Sequence, residues 1–114
     1  MGFTVVDVPE ITVPVDVSVP GETEKSRIHA TWVLHKFDVY QEKNQQITAG
    51  LISDEQLVET DLILAGPFYN PEGEEIPYSK ELMQSLLKKT YFRTALIRSW
   101  WKAQLCLNEE AEKN

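Results

Sequence analysis

An α+β fold is predicted for this chain of 114 residues, with its strands first and its helices after them. Three observations carry the prediction. Apolar residues alternate strictly over 11–19, and 27–37 places Ile28, Ala30, Trp32 and Leu34 on one face of a second strand. From position 38 the apolar period changes from two to that of a helix. Ser53 and Ser79 each stand where a helix start needs a cap. The expected architecture is an N-terminal antiparallel β-hairpin followed by about four α-helices. As one domain it divides into a β-rich part (1–37), a helical part (38–107) and a charged tail (108–114).

The first strand reads ITVPVDVSV. Ile11, Val13, Val15, Val17 and Val19 fall on one side, and Thr12, Pro14, Asp16 and Ser18 on the other. Alternating β-branched residues mark a half-buried strand. Pro14 cannot donate to a ladder, so the strand belongs at a sheet edge, where Pro14 and Asp16 discourage pairing with other chains. After the polar turn PGETEKS, the stretch RIHATWVLHKF places Ile28, Ala30, Trp32 and Leu34 on one face of a second strand. Phe3–Val8 is long enough for a third, shorter strand beside the hairpin.

Asp38 with Gln41 fits a helix start, and Gly50 a left-handed stop, for a polar, solvent-facing helix over 39–49. Ser53 and Gln56 match a capping box, with Ile52 and Leu57 at the staple positions. That helix is expected to reach Ala65 and end at Gly66-Pro67. Asn70-Pro71-Glu72-Gly73 is a tight turn, followed by a short extended stretch to Tyr78. Ser79 then caps a helix carrying Leu82, Met83, Leu86 and Leu87 as one apolar stripe.

The last helix, about Tyr91 to Leu107, has two apolar stripes. Phe92, Ala95, Leu96, Trp100, Ala103 and Leu107 form the core-facing one. Ile97, Trp101 and Leu105 lie almost directly opposite, flanked by Arg93, Arg98 and Gln104. A monomeric surface helix needs only one apolar face, so the second stripe is a candidate partner-binding surface. Tryptophan and arginine are the residues most common at interface hot spots. The candidate set is Ile97, Trp101, Leu105, Arg93, Arg98 and Lys102.

Composition narrows the function. The chain is 42% hydrophobic and 25% charged, which fits a globular protein and not a disordered one. One cysteine, Cys106, excludes an intrachain disulfide and a cysteine-based zinc site. The first residues, MGFTVVDVPE, have neither the basic start nor the apolar run of a signal peptide, and Val6 stands where a myristoylation site favours Ser or Thr. No apolar run approaches the roughly 20 residues of a membrane span. The expectation is a soluble protein of the cytoplasm, with no membrane partner.

Catalysis by a side-chain nucleophile needs a base within reach, and no such pair is legible. His29 and His35 are expected on one face of one strand, without further ligands for a metal. The acidic turn EGEE lacks the alternating oxygen ligands of a calcium loop. Five glycines supply no phosphate-cradling loop. No enzyme, metal or cofactor is expected. Net charge is −7, yet Lys80–Lys102 holds six basic residues and one acid, so +5 sits on that segment and −12 on the rest. Overall acidity argues against nucleic acid as the main partner. A small nucleic-acid-binding regulator using Lys88, Lys89, Arg93 and Arg98 stays open as an alternative, since cations interleaved with aromatics can track a strand.

The order of features from about 50 to 114 resembles the small tail assembly chaperones of long-tailed bacteriophages. The residues that carry the resemblance are SDEQLVETDLIL, FYNPEGEEIPYS, LMQSLL, FRTALIRSWWKAQ and the short polar tail ending in EKN. Phe68 departs from it, since tryptophan is expected near this turn in many members. The resemblance implies a non-enzymatic protein of a phage or prophage, acting in the bacterial cytoplasm and absent from the virion. Its implied partners are the tape-measure protein, which such chaperones coat, and the tail-tube protein, which they recruit; apart from the resemblance, the final helix is also expected to suit another copy of the chain, as a homo-oligomer. The second stripe would then receive amphipathic helices. A virion head–tail joining or terminator protein is the other alternative.

Overall fold

The computed structural model describes residues 2–106, and the fold is α+β. The elements in order are β1 (Glu10–Val17), β2 (Ser26–Val33), α1 (Phe37–Thr48), α2 (Asp54–Asp61), β3 (Leu62–Gly66), β4 (Phe68–Tyr69), β5 (Glu75–Ile76), α3 (Lys80–Leu86) and α4 (Thr90–Leu105). Leu107 and the tail 108–114, to which a core position and a charged tail were assigned above, lie outside the described residues.

The hairpin forms as its alternation requires. β1 and β2 pair antiparallel from Glu10↔Val33 to Val17↔Ser26, with Pro14 opposite His29. β1 pairs only with β2, so Pro14 does sit on an edge strand. Val13, Val15, Val17, Ile28, Ala30 and Trp32 are all buried on the face that meets α4. On the other face Thr12 and Thr31 share a hydrogen bond of 2.7 Å, and Arg27 donates to Asp16 through Nε (2.7 Å) and Nη2 (3.0 Å).

The third strand is not Phe3–Val8. It is Leu62–Gly66, which pairs antiparallel with β2 from the side opposite β1 and gives the order β1-β2-β3. The helix expected to reach Ala65 therefore ends at Asp61, and Leu62 already has extended angles of φ −84 and ψ 121. A run such as LILA suits a helix or a strand equally by pattern, and the open edge of β2 decides between them. The ladder slips at Thr31/Trp32, where a bulge accommodates the turn out of α2. The second strand is also shorter than 27–37: it stops at Val33, and His35 lies beyond it.

Local signals place the helix starts. Ser53 Oγ accepts from Gln56 N at 3.1 Å while Gln56 Oε1 accepts from Ser53 N at 2.8 Å, the reciprocal box expected. Ser53→Ala is expected to cost about 1 kcal/mol in a denaturant melt, and Ser53→Asp much less. Ser79 Oγ accepts from Leu82 N at 3.0 Å. The start of α1 differs from expectation: Lys36 is its N-cap residue, and Asp38 already lies in the first turn, where its carboxylate favours the dipole. The stop is as expected, since Gly50 takes a φ of +77 after the helix.

Asn70–Gly73 forms the expected turn, here as the tip of the β4–β5 hairpin. Asn70 Oδ1 accepts from Glu72 N (3.0 Å) and Glu74 N (2.9 Å), and Gly73 has φ +85. The Gly66–Pro67 peptide is cis and joins β3 to β4.

The core is one cluster between the sheet and the helices. Trp32, Met83, Leu87, Leu96, Trp100 and Ala103 are fully buried in it, with Leu57 and Val58 from α2. Trp32 Nε1 donates to Ser99 Oγ at 2.9 Å, which ties the middle of the sheet to the middle of α4. α1 buries none of its residues and packs as the outermost helix.

Candidate partner-binding face

α4 lies between the sheet on one side and α1 and α2 on the other, and this geometry decides what becomes of its second apolar stripe. Ile97 is only 8% exposed and belongs to the core cluster. Trp101 is half-buried. Its Nε1 donates to Asn44 Oδ1 of α1 at 2.8 Å, and its ring meets Trp100 edge-on at 5.2 Å. Leu105 is 46% exposed. The stripe is thus graded along the helix, from covered at Ile97 to open at Leu105.

The cations divide in the same way. Arg93 Nε donates to Leu87 O at 2.8 Å, Nη1 donates to Asp54 Oδ2 at 2.7 Å, and Nη2 pairs with Glu55. These bonds raise the Arg93 pKa and hold Glu55 below its ordinary value, both mainly through the side-chain hydrogen bond. Arg93 therefore anchors the start of α2 to α4, and its guanidinium is committed. Arg98 and Lys102 are exposed and form no ion pair among the described residues.

Between these groups is a shallow depression of about 320 Å³, lined by Asp54, Arg93, Thr94, Ile97, Arg98 and Trp101. Its lining mixes the apolar surface of Ile97 and Trp101 with the cation of Arg98. That combination suits one apolar side chain of a partner with an acid or carbonyl beside it. Four of the six candidate residues, Ile97, Trp101, Arg93 and Arg98, line it; Leu105 and Lys102 lie further along the helix.

Sequence reasoning missed a buried carboxylate that joins four other residues. Asp61, 2% exposed, ends α2 beneath α1 and α4. Its Oδ1 accepts from Lys43 Nζ (2.6 Å) and Thr60 Oγ1 (2.9 Å). Its Oδ2 accepts from Trp100 Nε1 (2.9 Å) and meets His35 Nε2 (2.8 Å). Burial by itself raises the carboxyl pKa. The donors from Lys43, His35, Trp100 and Thr60 outweigh burial and bring it below the ordinary value. His35 is consequently not on one strand face with His29, as expected from the sequence. It supports a buried carboxylate, whereas His29 is exposed on the outer face of β2. The one local signal was an aspartate directly before the apolar run LILA.

This cluster is saturated and structural. The four contacts on Asp61 come from the β2–α1 connection (His35), α1 (Lys43), α2 (Thr60) and α4 (Trp100), and no buried side-chain polar atom among the described residues lacks a partner. No group of three metal-ligating side chains exists among the described residues. Cys106 is exposed just past the end of α4, and no described helix is long and apolar enough to cross a membrane. Comparison with models of known families, with curated proteins and with solved structures found no match.

Proposed function

We propose that this protein is a non-enzymatic tail assembly chaperone of a long-tailed phage or prophage, acting in the bacterial cytoplasm. In this reading it binds the tape-measure protein and helps recruit tail-tube subunits. The observation that supports a binding role is the open depression on α4, where Trp101 and Ile97 meet Arg98. The resemblance of residues 50–114 supplies the partner class. An amphipathic partner helix would set one apolar residue into the depression and continue along Leu105, with an acidic residue near Arg98 or Lys102.

The test is capture of the tape-measure and tube proteins by the tagged chain. Trp101→Asp is expected to reduce capture at least tenfold, since central aromatic anchors at interfaces are commonly worth about 2 kcal/mol or more. Thr94→Arg fills the depression from an exposed position without touching the Asn44–Trp101 bond, and is expected to act in the same direction. Undiminished capture by both folded variants would overturn the assignment of this surface. Mass spectrometry of purified particles separates a chaperone from a head–tail joining or terminator protein, which alone is retained in the virion. The nucleic-acid alternative loses one of its four cations, because Arg93 is held by Asp54 and Glu55.

A further inference from the structure

Residues 2–9, GFTVVDVP, precede β1 and are in no strand or helix. Phe3 is 87% exposed, Val5 88%, Val6 63% and Val8 51%. Four large apolar side chains standing in water within six positions form an interaction segment, and their β-branched or aromatic character suits docking in an extended conformation.

At the other end of β1 is an apolar groove of about 500 Å³. Val17, Val19, Ile28, Phe68, Tyr91 and Phe92 supply its apolar lining, and Arg27 and Lys89 are among its remaining lining residues. Lys89 is exposed and makes no ion pair among the described residues, while Arg27 is bonded to Asp16. The segment is acidic where the groove is basic: it carries Asp7 and runs into Glu10.

The segment cannot lie along its own groove within one molecule. Glu10 and Val17 bound β1, so the groove begins about 23 Å from the point where the segment leaves the sheet. Phe3 is also seven residues from Glu10, and full extension carries it no more than about 25 Å. Reversing direction consumes at least one tight turn of that reach. Phe3 therefore reaches at most the rim of its own groove, and Val5, five residues from Glu10, spans no more than about 18 Å and cannot enter it.

The geometry points to a second copy as the occupant: residues 2–9 of each protomer lie in the Val17/Phe68/Phe92 groove of the other, with Asp7 close to Lys89. Reciprocal exchange of this kind is a closed, two-fold arrangement that satisfies both segments and both grooves at once. An extended stretch of eight residues has a footprint of about 26 by 10 Å. Counting both surfaces and both segments gives about 1,000 Å², the lower limit for specific association.

Sedimentation velocity on the full chain across a wide concentration range tests this. The expected result is a reversible dimer that Phe3→Asp with Val5→Asp converts to a monomer. Both positions are exposed in the single chain, so these changes leave its fold intact. Lys89→Glu is expected to weaken the dimer roughly tenfold across its two equivalent contacts, and adding Asp7→Lys to recover most of the loss. A monomer at every concentration would overturn the proposal, as would a dimer indifferent to the segment variants. A monomer whose segment is protected from hydrogen exchange would overturn it too, by placing the occupant within the chain. The groove shares no lining residue with the depression on α4, so failure here leaves the capture experiment unaffected.

Discussion

Replacing Asp61 with alanine is expected to lower stability by about 3–5 kcal/mol, because it removes one side of a buried charge pair and leaves the donors unmatched. Lys43, His35, Thr60 and Trp100 all point at this carboxylate. Trp100 is fully buried, so its indole N–H has no access to water when the acceptor is removed. Asp61→Asn keeps the shape, yet its amide must point an N–H₂ group at either Lys43 or His35, so the loss should be smaller but still clear. Thermal or urea denaturation of the three proteins checks the order. The same group makes a pH prediction. Its folded pKa is lowered, so its contribution is fully present above the unfolded value of about 4. That contribution disappears as pH falls through the lower, folded value. Wild-type stability should therefore drop more steeply than that of Asp61→Asn below about pH 4, and the two curves should run parallel above pH 5. Glu55 and Asp16 are also lowered, but both are substantially exposed and add less to the acid limb.

The second large effect is expected at Trp32. Truncation to alanine removes a fully buried indole at the centre of the sheet, with an expected cost of about 3–5 kcal/mol. It also removes the donor that Ser99 Oγ receives, although Ser99 still donates to Leu96 O. Trp32→Phe separates the two contributions. It retains most of the ring volume and should cost about 1–3 kcal/mol for the smaller ring and lost bond. If Trp32→Phe and Trp32→Ala prove equally damaging, the Ser99 bond and not the packing dominates. A Trp32→Phe/Ser99→Ala pair would then show strong coupling in a double-mutant cycle.

What could be read from the chain beforehand was what is decided by neighbours in sequence. Ser53 and Ser79 cap their helices because a side-chain oxygen three residues from a free N–H needs no distant help. The β1 and β2 faces follow from strict alternation. β3 was hidden because Leu62, Ile63, Leu64 and Ala65 carry no period, and the choice between helix and strand belongs to β2, thirty residues earlier. The Asp61 cluster brings together positions 35, 43, 60, 61 and 100, for which no spacing rule exists. On α4 the wheel separated two apolar stripes, of which Leu107 lies outside the described residues. It assigned the second wholly to a partner, whereas α1 and α2 claim part of it through Asn44, Asp54 and Glu55. A helix held between a sheet and other helices needs two faces for its own fold, and only the remainder is left for binding.

The position of α4 as the final described element has a consequence in time. α4 covers the buried face of the β1–β2 hairpin, and 56 residues separate the end of β2 at Val33 from the start of α4 at Thr90. At the usual pace of synthesis those residues take roughly 3 to 11 s to be made. Throughout that interval the nascent hairpin carries Val13, Val15, Val17, Ile28, Ala30 and Trp32 without their lid. Pro14 and Asp16 on the outer strand thus guard the half-made polypeptide on the ribosome, at the stage when an uncovered ribbon would most readily pair with another.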